Sequence, residues 1–167
     1  MNNPEEIIKQ YLTDSQLELI ETLNRHDVEF MLVGAVALAC HGYSRYSIDL
    51  DFLARPTEKN IKKLFSALHR FFSDTNPDFG SYKKMLNGSQ VIRFGSGTNT
   101  TEFLTEIDGV SYEEAQEDSL SFEILPDIHL KVIGRKALIK NKMSTGREKD
   151  RADASILKKR DETGKET

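Results

Sequence analysis

Two aspartates set two residues apart, Asp49 and Asp51, are the first residues in this chain whose types and spacing suggest chemistry. On a strand, positions i and i+2 project from one face, so Ile48, Leu50 and Phe52 would point to the other. A pair of carboxylates on one face supplies the oxygen ligands that a hard cation such as Mg²⁺ prefers. Upstream, the apolar run Phe30-Met31-Leu32-Val33 ends at Gly34. A glycine at a strand-to-helix turn exposes backbone N–H groups able to receive a phosphate. The two features together predict phosphoryl chemistry on a nucleotide.

Positioning these groups requires a folded core, and 167 residues suffice for one domain, here expected over residues 1–160 with a disordered polar tail at 161–167. Hydrophobic residues make up 38% and charged residues 30% of the chain, an ordinary balance for a soluble protein, and no apolar run approaches a membrane span. The start, Met1-Asn2-Asn3-Pro4-Glu5-Glu6, lacks the basic and apolar regions of a secretory signal, so a cytoplasmic location with no membrane partner is expected. A single cysteine, Cys40, excludes an intrachain disulfide and a cysteine zinc cage, and its apolar surroundings predict a core position.

The net charge of -4 conceals a segregation. Residues 98–127 hold nine Asp or Glu and no Lys or Arg, whereas residues 131–160 hold eleven Lys or Arg against three acids. The basic segment either receives a polyanion or is neutralised by the acidic segment beside it.

Several elements announce themselves. Thr13-Asp14-Ser15-Gln16 reads as a capping box opening an amphipathic helix that ends near His26-Asp27. Residues 29–33 read as a strand, 35–41 as a short helix and 48–54 as a second strand ended by Pro56. Thr57 can cap a helix with the stripe Ile61, Leu64, Phe65, Leu68 and Phe72. After a loop over 73–80, strands at 90–94 and about 101–107 form a hairpin, with Gly95-Ser96-Gly97 as a turn rather than a phosphate loop, since it lacks the Lys-Ser/Thr of a P-loop. Ser111 caps another helix, residues 120–124 and 128–132 are short strands around Pro126, and 135–142 and 149–160 are helical. The expected class is α+β, a mixed sheet covered by helices with a helical C-terminal segment.

The pattern Leu32-Val33-Gly34, a short helix ending at His41-Gly42, then Arg45, Ser47, Asp49 and Asp51, resembles the nucleotidyltransferase superfamily with a polymerase-beta-like core. Glu102-Phe103-Leu104-Thr105 before Ile107-Asp108-Gly109-Val110, and Lys142 followed by Arg147-Glu148-Lys149-Asp150-Arg151-Ala152-Asp153, is similar to small bacterial stand-alone members, including the AbiEii-like toxins of toxin-antitoxin systems. The resemblance spans roughly residues 28–157.

That resemblance implies two Mg²⁺ ions held by Asp49, Asp51 and a third carboxylate on the neighbouring strand, which the alignment places at Glu102 where most relatives carry Asp. Asp108 competes for that role, although before Gly109 it suits a turn. The ions would neutralise charge on a nucleoside triphosphate such as ATP and lower the pKa of an attacking hydroxyl. Gly34 and Ala35 would bind phosphate through backbone N–H groups, Ala35 lacking the hydroxyl that relatives often place there. Ser47 would bind phosphate or orient a ligand, Lys142 or Lys149 would meet phosphate, and Asp150 would orient a lysine. For Lys149, Asp150 and Asp153 the alternative is an exposed helix N-terminus. The implied activity is transfer of a nucleotide to an acceptor hydroxyl on RNA or a tRNA 3′ end, a protein or a small molecule, with an antitoxin as a possible partner. The competing expectation is a non-catalytic nucleotide-binding or protein-binding module. No histidine has zinc spacing, so all four are expected in structural roles, and Tyr43 and Tyr46 either stack on a base or pack the short helix.

Overall fold

The computed structural model describes residues 3–163 apart from 48, 76 and 98. The chain is α+β, with a six-stranded open mixed sheet and eight helices among the described residues. Ile48, expected at the start of a strand, and residues 164–167 of the expected tail lie outside the described residues.

Helix α1 (Pro4–Tyr11) and helix α2 (Asp14–Arg25) precede strand β1 (Phe30–Val33), helix α3 (Gly34–Cys40) and strand β2 (Asp49–Ala54). Helices α4 (Glu58–Phe71) and α5 (Tyr82–Leu86) lead to the hairpin β3 (Ile92–Phe94) and β4 (Thr100–Leu104). Helix α6 (Tyr112–Glu117), strands β5 (Leu120–Leu125) and β6 (Ile128–Val132), and helices α7 (Arg135–Ser144) and α8 (Glu148–Thr163) complete the fold. Helix α8 therefore runs three residues beyond the expected end.

The strand order is β3-β4-β2-β1-β6-β5. β1 lies antiparallel to β2 and parallel to β6, while β2 lies parallel to β4. The antiparallel hairpins β3–β4 and β5–β6 form the two edges.

Local chemistry explains the main boundaries. Thr13 and Gln16 form a reciprocal capping box at α2: the Thr13 hydroxyl accepts from the Gln16 backbone N–H, and the Gln16 side chain accepts from that of Thr13. The Thr57 and Ser111 hydroxyls cap α4 and α6 with one half of that arrangement, each accepting from the third backbone N–H beyond it. At the hairpin turn, Gly95 adopts φ +92°, and a Cβ there would meet the Asn99 carbonyl oxygen at 1.9 Å, so no other residue fits.

Strand alternation then divides the sheet chemically. Phe52 and Phe103 are paired across β2 and β4, with ring centroids 5.3 Å apart, and both are fully buried. Phe30 meets Phe52 edge-on at 5.4 Å. Truncating such a buried Phe to Ala costs about 3–5 kcal/mol. Ile61, Leu64 and Leu68 of α4 join the same core, while Phe65 and Phe72 pack at its margin. On the opposite face of the same two strands stand Asp51 and Glu102, also paired in register.

Candidate active site

Four strands place one row of side chains across the sheet. Val33 of β1 pairs with Asp51 of β2, Asp51 with Glu102 of β4, and Glu102 with Arg93 of β3. Asp49 lies two residues before Asp51 and shares its face. Two acids directly opposite one another repel unless compensated. Arg93 compensates in part, with Nε 3.1 Å from Glu102 Oε1 and Nη2 3.5 Å from Asp49 Oδ1.

Asp51 feels the remaining repulsion. Burial, then the charges of Glu102 and Asp49, push its carboxyl from the usual 3.8 up to about 6, against the opposing pull of Lys142 and Arg93. Behind Asp51 sits Gly34, the first residue of α3, with φ +71°. A Cβ on residue 34 would meet Asp51 Oδ2 at 2.2 Å, so the glycine creates the space this carboxylate occupies.

These groups open into a cavity of about 550 Å³. Its acidic side carries Asp49, Asp51 and Glu102, continued by Glu106 and Asp108. The same cavity is lined by Arg45, Lys142, Arg147 and Lys149, together with Thr145 and Asp150. Gly34, Ala35 and Ser47 also line it. All nine sequence-predicted site residues therefore converge on one cavity, although they come from three separate stretches of chain. Asp108 also lines it, but as a turn residue: the Ile107–Val110 bridge closes around Asp108-Gly109, and the Asp108 carbonyl accepts from Asn141 Nδ2 at 2.9 Å. The register, by contrast, puts Glu102 directly beside Asp51.

The basic side is built on a buried network. Lys142 (5% exposed), Asp150 (3%) and Asp153 (2%) are sequestered where α7 meets α8. Lys142 Nζ donates to Asp150 Oδ1 at 2.7 Å, and the Thr145 hydroxyl donates to Asp150 Oδ2 at 2.8 Å. Arg147 Nε lies 2.7 Å from the same Oδ2. Burial alone would raise the Asp150 pKa, but the hydrogen bonds from Lys142 and Thr145 and the nearby positive charges outweigh it and hold the carboxyl low. Asp153 Oδ2 lies 3.3 Å from Arg45 Nε and 3.6 Å from Lys142 Nζ, close enough for charge attraction but without hydrogen-bond geometry. The exposed-terminus alternative thus fails for Asp150 and Asp153, whereas Lys149 is exposed at the rim.

Ser47 donates its hydroxyl proton to the Asp49 carbonyl at 3.2 Å, steadying the approach to β2. The two tyrosines part company: Tyr43 packs against the core, while Tyr46 lines the cavity at 75% exposure. The histidines stand outside the lining, with His41 hydrogen-bonded to the Ile133 carbonyl and His26 to that of Thr22. Cys40 is buried, and burial pushes its thiol up to about 12, as befits an inert core residue. The acidic and basic halves of the sequence meet elsewhere too, through Lys140 and Glu114 at 2.6 Å.

Among the described residues, no three carboxylate, histidine or cysteine side chains converge into a ready-made metal cage. The acidic side nevertheless suits a hard cation. Its donors are all carboxylate oxygens, its charges are incompletely compensated at Asp51, and Gly34 leaves room for that carboxylate. Arg93 is the residue that sequence reading passed over, and the cross-strand register of the expected hairpin was the signal that could have found it.

Comparison with protein-family profiles and with the sequences of curated proteins finds no match for this chain. Among the described residues, no helix is long and apolar enough to cross a membrane.

Proposed function

We propose that this chain is a metal-dependent nucleotidyltransferase, moving a nucleoside monophosphate from a nucleoside triphosphate to an acceptor hydroxyl. The observation that carries this reading is that one cavity is lined both by the carboxylates Asp49, Asp51 and Glu102 and by the cations Arg45, Lys142, Arg147 and Lys149. A triphosphate requires cationic donors along its anionic oxygens, and the transfer requires negative charge to be managed at the reacting phosphorus. Both kinds of group border the same space.

Asp49, Asp51 and Glu102 would hold Mg²⁺, which when bound supplies charge neutralisation at the triphosphate and lowers the pKa of the attacking hydroxyl. Lys142, fixed by Asp150, presents a positive charge to the β- and γ-phosphates, and Lys149 and Arg147 add mobile charge at the rim. Backbone N–H groups of Gly34 and Ala35 and the hydroxyl of Ser47 border the same space and suit phosphate oxygens. In the transfer, the acceptor oxygen bonds to the α-phosphorus, the bond from that phosphorus to the α,β-bridging oxygen breaks, and pyrophosphate leaves. Glu102 takes the acceptor proton. An RNA or tRNA 3′ end, a protein hydroxyl and a small molecule are the acceptor classes consistent with an open cavity, and a toxin role with a cognate antitoxin goes with this reading.

Incubation with each α-³²P nucleoside triphosphate, Mg²⁺ or Mn²⁺, and either total RNA or a protein lysate tests the proposal. Label transferred to a macromolecule by the wild type and not by Asp49→Ala/Asp51→Ala is the expected result. One observation favours a second reading, a nucleotide-binding module without transfer: Glu102, longer than the Asp it replaces in the resembling family, is engaged by Arg93. Nucleotide binding without transfer to RNA, protein or small-molecule acceptors would select that reading.

A further inference from the structure

Arg93 is the least expected member of the carboxylate row. It projects from β3, the short edge strand, and reaches across Glu102 to Asp49, yet 60% of its side chain remains exposed. It stands outside the residues that line the cavity while touching two that do. An exposed ion pair of this kind is weak, since solvent screens it and long side chains lose entropy on being fixed. A divalent cation, with twice the charge and direct oxygen coordination, outcompetes a guanidinium for the same carboxylates.

We infer that Arg93 is the built-in counter-ion of the carboxylate cluster, displaced when a divalent cation arrives and then available to the negative charge of the bound polyphosphate. The inference rests on the metal and triphosphate elements of the function proposed above. Before the cation binds, Arg93 offsets part of the repulsion among Asp49, Glu102 and Asp51. Afterwards the same guanidinium is repelled by the cation and swings on its exposed stem. A planar fork of N–H donors beside the metal site then suits phosphate oxygens, which it can bind in pairs. Arg93 is thus a positioning residue whose two partners are taken in turn.

Full-length wild type, Arg93→Gln and Arg93→Lys are compared in two titrations, one with Mn²⁺ alone followed by electron paramagnetic resonance, the other with the Mn²⁺ complex of inorganic tripolyphosphate. Arg93→Gln is expected to bind Mn²⁺ about two- to fivefold more tightly, the range an exposed ion pair can supply, and to bind the tripolyphosphate complex several-fold more weakly. Arg93→Lys should return Mn²⁺ affinity towards wild type while restoring only part of the tripolyphosphate affinity. A merely structural role would weaken both ligands together. Unchanged or weaker Mn²⁺ binding in Arg93→Gln overturns the inference, as does unchanged tripolyphosphate binding. Absence of Mn²⁺ binding in the wild type overturns the inference and the metal reading together. The opposed shifts without any label transfer would leave Arg93's role intact and remove only the transferase reading.

Discussion

Gly34 lies so close to Asp51 that a Cβ at residue 34 would stand 2.2 Å from Oδ2. Gly34→Ala therefore imposes a left-handed backbone on alanine, at about 1–2 kcal/mol, and also drives the carboxylate from its place. The expected outcome is a lower Tm with a disproportionate loss of Mn²⁺ affinity. In an Asp51→Ala background the collision with Oδ2 is gone, leaving the backbone strain and a 3.2 Å approach to the Cβ of residue 51, so the stability cost of Gly34→Ala should shrink. An equal cost in both backgrounds would show that the contact does not matter.

Asp51 gives the apo protein an inverse pH dependence. Its folded pKa, about 6, exceeds the usual 3.8, so the folded state binds its proton more tightly than the unfolded state does. The sign follows: stability falls as pH rises from about 4 to about 6, and the full deficit, at most about 3 kcal/mol, persists above that window. Asp51→Asn should raise the apo Tm at pH 7.5 and lose this advantage at pH 4. Mg²⁺ should raise the wild-type Tm more at pH 7.5 than at pH 5, where protons compete for the same carboxylate. A flat difference between the two proteins across pH would refute the assignment.

Lys142→Met should be among the most destabilising single changes on the cavity wall. It leaves the buried carboxylates of Asp150 and Asp153 without their shared lysine, a loss of about 3–5 kcal/mol for a broken buried pair. The double variant Lys142→Met/Asp150→Leu should recover part of that loss, because one uncompensated charge disappears with its partner. Chemical denaturation of the four proteins in the cycle measures the coupling. The low pKa of Asp150 adds a signature of the opposite sign to that of Asp51: its contribution is present above about pH 4 and is lost as pH falls through the folded value.

Arg147→Ala separates binding from stability. The side chain is exposed and forms an ion pair with Asp150, so chemical denaturation should show a loss of no more than about 1 kcal/mol. The KM for nucleotide should rise several-fold with kcat little altered, because a rim charge acts on the ground state and transition state alike. A fall in kcat with constant KM would place Arg147 in the reacting centre instead.

Elements with their own local chemistry were legible in the sequence. The caps at Thr13, Thr57 and Ser111 declare helix starts through bonds spanning three residues, and the Asp49–Asp51 alternation declares a strand face. Helices α1 and α5 were not legible. α5 has only five residues, too few to show a period, and is held by the burial of Met85. α1 begins from an Asn3 cap with proline in its first turn and gains its fixed place from Ile8, buried by distant neighbours. The site divides in the same way. Asp49 and Asp51 are a local pattern, whereas the Arg93–Glu102 pair depends on hairpin register and the Arg45–Asp153 contact on the docking of α8.

The order in which these pieces leave the ribosome matters. The carboxylate face is complete once β4 has paired with β2, but the lysine and its aspartate partners belong to α7 and α8, after β6 has taken its place beside β1. A nascent chain that stops before Lys142 has the carboxylates of β2 and β4 without the buried Lys142–Asp150 pair. The lysine and aspartate part of the cavity lining is thus synthesised after the sheet that carries the carboxylates, and the cavity is assembled only once α7 and α8 have docked.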